Sequence, residues 1–215
     1  MKRISILFGL MLLMCLVNAQ NKENSPFLFP DFQEVTVLFK DGSQYNEKMN
    51  YNLLVEKFYF IDRVDKRVKE LSNPQDIQVI KFGNRVFYTE GNKGIEILPT
   101  NPVLHVQYKG NMRKEASIGA YGQSSETSSM RTYGGTYGNG GERYNFSPEK
   151  LILGNRYNIY WLERKGKKKA FKNFKQFIKL YPNHKESLEK FINDNHVNFN
   201  DVQQIKMLCI YADAL

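Results

Sequence analysis

The side chains with chemical reach are three histidines, one Ser-x-x-Lys pattern, one run of cations and a set of tyrosines among glycines. His105, His184 and His196 are scattered, and none sits one helical turn from another or inside a His-Glu-x-x-His arrangement, so no dedicated zinc site is expected. His105 alternates with the apolar series Leu104, Val106 and Tyr108, which predicts a solvent-facing imidazole. Ser147-Pro148-Glu149-Lys150 has the spacing with which a lysine activates a serine nucleophile in penicillin-binding enzymes, but the companion Ser-Asp-Asn and Lys-Thr-Gly motifs are absent. Asp62 and Asp65 are close enough to pair as carboxylates, yet between two strands they read as hydrogen-bonding turn residues. No catalytic residue, metal ligand or cofactor is expected from these patterns.

Charge gives the sharper signal. Arg164, Lys165, Lys167, Lys168, Lys169, Lys172 and Lys175 crowd together with Glu163 as the one nearby acid. Such a cluster forms either a patch for an anionic partner or a solvated hairpin tip. Cations that precede a helix also oppose its dipole, a local conflict of the kind that marks some functional sites. A second candidate is a binding loop carrying Tyr121, Tyr133 and Tyr137 on a glycine-permissive backbone, whose rings suit stacking on sugars or peptides. Its glycines follow no phosphate-cradling pattern.

The elements that must position these groups are mostly strands. Glu34–Phe39 is β-rich and precedes Asp41-Gly42, a pair suited to a tight turn because glycine tolerates positive φ. Further strands are expected at Met49–Leu54, Lys57–Ile61, Arg67–Leu71, Ile77–Phe82, Arg85–Thr89, Ile95–Leu98, Val103–Tyr108 and Tyr157–Leu162, with Lys168–Phe171 returning from a tip at Gly166. Helical spacing of Phe171, Phe174, Phe177, Ile178 and Tyr181 predicts a helix that Pro182 ends. Asn183 is placed to cap a second helix with inward Leu188, Phe191 and Ile192. Asn200 is placed to cap a third, carrying Val202, Ile205, Leu208, Cys209 and Ala212. The fold class is therefore α+β: an antiparallel sheet, sandwich-like or strongly bent, followed by about three C-terminal helices.

Lys2 and Arg3, the apolar run Ile4–Val17 and the small residue Ala19 have the form of a signal peptide cleaved after Ala19. Cys15 follows Met14, where lipoprotein processing requires a small side chain, which argues against a lipid anchor. The expected organisation is a signal peptide at 1–19, an extension at 20–31, an antiparallel β domain at 32–112, a flexible Gly/Ser/Tyr-rich loop at 113–142, and a hairpin with helices at 143–215. Cleavage lowers the net charge of +9 by two and removes Cys15, leaving Cys209 as a buried, inert thiol that cannot close an internal disulfide. The whole chain of 215 residues, 41% hydrophobic and 25% charged, is neither a disulfide scaffold, a collagen, a polytopic membrane protein nor a wholly disordered polypeptide.

The stretches Gly42-Ser43 through Asn50-Tyr51-Asn52-Leu53-Leu54, Phe60-Ile61-Asp62, Phe82-Gly83-Asn84-Arg85-Val86-Phe87-Tyr88, Ala120-Tyr121-Gly122-Gln123-Ser124-Ser125 and Leu180-Tyr181-Pro182-Asn183-His184-Lys185 are similar to a recurrent pattern in exported, uncharacterised Bacteroidetes-type proteins. The resemblance implies a Gram-negative periplasmic, secreted or cell-surface setting and carries over no substrate and no residue role. With the charge pattern it leads to an expected envelope binding or interaction module that is not an enzyme and has no transmembrane span after cleavage. Its expected partners are envelope polysaccharide, lipid headgroups or another protein, with nucleic acid ranked below them. An envelope-acting hydrolase and a structural subunit of an envelope assembly are the alternatives.

Overall fold

A computed structural model describes residues 25–113 and 152–215. Ten strands come first: β1 (Gln33–Phe39), β2 (Gln44–Asn52), β3 (Lys57–Ile61), β4 (Val68–Glu70), β5 (Ile77–Phe82), β6 (Arg85–Glu90), β7 (Lys93–Leu98), β8 (Val103–Arg113), β9 (Ile152–Arg164) and β10 (Lys167–Phe171). Three helices follow: α1 (Phe174–Ile178), α2 (Lys185–Asp194) and α3 (Val202–Asp213). The fold is thus the α+β arrangement expected from the sequence.

All ten strands form one antiparallel sheet in the order β10-β9-β8-β7-β6-β5-β1-β2-β3-β4. Two meanders, β1–β4 and β5–β10, are joined where β1 pairs with β5. The sheet does not close, but it bends until its two halves meet. Gly94 on β7 lies against the rings of Phe58 on β3 and Tyr51 on β2. The Gly110 amide on β8 donates to the Leu53 carbonyl just past β2 at 2.9 Å. The concave face holds a core of large apolar side chains, among them Val37, Met49, Phe58, Ile80, Phe82, Phe87, Leu104 and Val106. The segment before β1 is tied to this core by Asn50, whose amide accepts from the Phe29 N–H at 3.1 Å and donates to the Phe29 and Asp31 carbonyls.

The helices cover the same face at its β8–β10 end. Tyr160 stacks on Phe171 at 5.3 Å, Phe171 meets Phe177 at 5.1 Å, and Leu188, Ile205, Leu208 and Cys209 are buried with them. Burial pushes the Cys209 thiol up to about 12, which fits an inert core cysteine. Three local expectations are corrected. Phe171 closes β10 instead of opening a helix, because its register opposite Tyr160 already buries the ring. Asn183 belongs to a short 3₁₀ turn, and α2 begins after His184 with no side-chain cap. α3 is capped by Asp201, not Asn200: the Asp201 carboxylate accepts from the amides of Gln203 and Gln204 at 2.9 and 3.1 Å.

Candidate functional site

The β9–β10 hairpin turns through Lys165 and Gly166, with φ of 50° and 72°. Two consecutive positive φ values match the right-handed twist of the flanking strands, and glycine makes the second one costless. Register then sorts the cations. Arg164 stands opposite Lys167, Glu163 opposite Lys168, and Leu162 opposite Lys169. Directly opposed residues share a face, so Lys167 and Lys169 project on the side where Leu162 and Phe171 are covered by helices, and Lys168 projects on the other.

Two of the cations are fixed. Arg164 donates to Asp213 at the end of α3 at 2.9 Å, and its guanidinium lies 4.5 Å from the Tyr181 ring centre. Lys168 donates to the Tyr88 hydroxyl at 2.9 Å and approaches Glu90 at 3.7 Å. Among the described residues no ion pair engages Lys165, Lys167, Lys169, Lys172 or Lys175. Lys172 and Lys175 sit at the start of α1, where Asn173 caps by accepting from the Gln176 amide and Gln176 accepts from the Lys172 amide. The conflict between these cations and the helix dipole is therefore present, though α1 has only five residues. The seven cations do not share one face: Arg164, Lys167 and Lys169 lie on one side of the hairpin, Lys168 on the other, Lys165 in the turn, and Lys172 and Lys175 beyond β10. Glu163, opposite Lys168, makes its hydrogen bond with His105, and the expectation of a single nearby acid is corrected: Glu90 and Asp213 approach Lys168 and Arg164 from other elements.

Glu163 turns toward His105, and here an expectation fails. His105 is buried at 4% exposure rather than facing solvent, because its Nε2 meets the Glu163 carboxylate at 2.8 Å and its Nδ1 meets the Tyr88 hydroxyl at 3.2 Å. A carboxylate only accepts, so Nε2 carries the hydrogen and Nδ1 accepts from Tyr88. Lys168, Tyr88, His105 and Glu163 thus form one directed chain of hydrogen bonds from cation to anion. Burial holds the imidazole below its ordinary value of 6.5 against the pull of Glu163, and burial raises the Tyr88 hydroxyl against the pull of Lys168. Alternation along one strand cannot reveal this chain, since its members come from four strands whose pairing is set by the register.

A second polar group lies on the concave face. Arg85 grips Glu96 with two bonds of 2.7 and 2.9 Å, Tyr108 donates to the same carboxylate, and the guanidinium sits 4.8–5.2 Å from the rings of Phe29, Phe87 and Tyr108. Asp62 and Asp65 behave as turn residues: Asp62 accepts from the amides of Val64 and Asp65, and Lys69 bridges both carboxylates at 2.7 and 2.9 Å. The bonds from Lys69 and these amides hold Asp62 down at about 2. A cavity of about 320 Å³ opens between β3, β4 and the turn Asn73–Gln75, but its ionisable groups, Lys57 and Glu70, are paired with each other at 2.5 Å. Among the described residues no group of histidine, cysteine and carboxylate side chains could hold a metal ion, and no helix is long and apolar enough to cross a membrane. Tyr121, Tyr133 and Tyr137, the Ser147–Lys150 pattern and the signal segment lie outside the described residues. No protein-family model, curated protein or solved structure matches this chain.

Proposed function

We propose that the chain is an exported cell-envelope binding module without catalytic activity, and that the β9–β10 hairpin with the start of α1 contacts an anionic envelope partner rich in phosphate or carboxylate groups. One observation carries this reading. Arg164 and Lys168 are tied to neighbouring elements, whereas Lys165, Lys167, Lys169, Lys172 and Lys175 carry no ion pair among the described residues. A rigid tip bearing unneutralised ammonium groups pays little entropy to meet a polyanion, and clustered positive charge raises the local concentration of such partners. Lysines at these positions act as point charges rather than as bidentate readers, which suits a repetitive polyanion better than one defined small ligand.

The experiment is binding of the chain from Gln20 onward to a soluble anionic polysaccharide at low and high salt. The K165E/K167E/K169E variant should bind at least about tenfold more weakly at low salt and show a shallower salt dependence. Unchanged binding by that variant at low salt would reject the reading.

A further inference from the structure

The outward side of α3 does not look like the rest of the surface. Six large apolar side chains are exposed among the described residues, and three of them lie on α3 or just past its end: Met207 at 56%, Ile210 at 49% and Leu215 at 46%. The inward side of α3 already buries Ile205, Leu208, Cys209 and Ala212, so Met207 and Ile210, set between Gln203 and Asp213 on the outward side, are apolar groups that the core does not use. Met207 and Ile210 are three residues apart and neighbour each other on the helix surface.

These apolar groups lie near the basic hairpin. Asp213, three residues after Ile210 and about 60° further round the helix, receives the 2.9 Å bond from Arg164. Arg164 faces Lys167 across the hairpin, and Lys167 and Lys169 project on the helix-covered side of the sheet. Ile210 thus lies one turn of α3 from the residue that Arg164 holds, and the cross-strand neighbour of Arg164 is the unpaired Lys167.

Resting on the proposed polyanion contact, we infer that its partner is the surface of a bilayer containing anionic lipid. The ammonium groups of the hairpin meet the headgroups, and Met207, Ile210 and Leu215 enter the boundary between headgroups and acyl chains. Charge complementarity selects the anionic surface, and the apolar side chains select a bilayer over a soluble polyanion, which offers them nothing to enter. Exposed apolar side chains beside cations suit contact with a membrane interface, where the first enter the headgroup boundary and the second meet anionic headgroups.

Co-sedimentation of the chain from Gln20 onward should show binding to vesicles of mixed phosphatidylglycerol and phosphatidylcholine and not to phosphatidylcholine alone. The M207S/I210S variant should lose about tenfold in vesicle binding, as expected when apolar side chains leave an interface, while keeping its affinity for the soluble polysaccharide. Both positions are exposed, so the variant should retain the melting temperature of the unaltered chain. A polarity-sensitive dye placed at M207C, with Cys209 buried and unreactive, should shift to the blue on anionic vesicles. Equal vesicle binding by M207S/I210S, or a dye that does not shift, overturns the inference. Binding to polysaccharide without binding to vesicles overturns it too but leaves the proposed function standing; binding to neither overturns both.

Discussion

Arg85 and Glu96 form an ion pair whose ends differ in their access to water: the arginine side chain is 35% exposed and the glutamate 3%. Removing either partner therefore has unequal effects. R85M leaves a carboxylate buried among aromatic rings with only Tyr108 to bond it and should cost about 3–5 kcal/mol, whereas E96Q leaves a guanidinium that can reach solvent and should cost less. Urea unfolding of the two variants checks the order. His105 gives a prediction in pH. Its folded value lies below the ordinary 6.5, so the unfolded chain binds the proton first as pH falls. The stability it contributes is complete above about pH 6.5 and is lost as pH drops through the lower folded value. H105Q should flatten the fall in the urea midpoint between neutral and mildly acidic pH; a fall as steep as that of the unaltered chain would refute the assignment. Neither group was legible in the sequence as a site. Arg85 and Glu96 read as ordinary strand residues, and the alternation around His105 pointed to water, because burial here comes from a curved sheet and from side chains of β6, β9 and β10 rather than from the residue's own strand.

Elements were more legible than residues, since turns and caps depend on neighbours in the chain. Asp41-Gly42 and the Gly166 tip turn where the sequence places them, as does Gly83-Asn84 between the strands expected at Ile77–Phe82 and Arg85–Thr89, and Gly42, Gly83 and Gly166 take positive φ. Helix starts were less secure, because Asn200 and Asp201 are both good caps and only the direction of entry into α3 decides between them. That choice is testable. D201A removes the acceptor for two otherwise unpaired amides and should cost about 1 kcal/mol, whereas N200A, at an exposed position, should be neutral by thermal melting. Gly94 stands just before the strand expected at Ile95–Leu98, and nothing in its neighbours along the chain marks it out. Its role is close approach: a Cβ there would lie 2.6 Å from the rings of Phe58 and Tyr51, both almost fully buried. G94A should therefore cost about 1–3 kcal/mol, with loss of near-ultraviolet dichroism from those rings, and a neutral substitution would mean that the two halves of the sheet are held apart.

At the scale of the molecule, alternation and turn chemistry disclosed an antiparallel α+β protein but not how its strands are ordered. Nothing local in Thr36–Phe39 announces that β1 will pair with β5 as well as β2, and the bond from Gly110 to Leu53 joins residues far apart in the chain. One property of the whole follows from the order once it is known. An open sheet has two edges that expose unpaired backbone groups and invite pairing with another chain. The β4 edge is three residues long, with Lys69 held by Asp62 and Asp65. The β10 edge is longer, and three of its five residues are lysines. The same charges proposed to meet an anionic partner also repel a second β10, so they serve two ends with one set of side chains. K167T/K169T keeps strand propensity, retains the Lys168 bond to Tyr88 and removes the repulsion. Light scattering over a concentration series should show this variant associating at concentrations where the unaltered chain does not, and added salt should narrow the difference by screening the lysines that the unaltered chain retains. Identical association curves for the two proteins would mean that the shape of the β10 edge, rather than its charge, keeps the sheets apart.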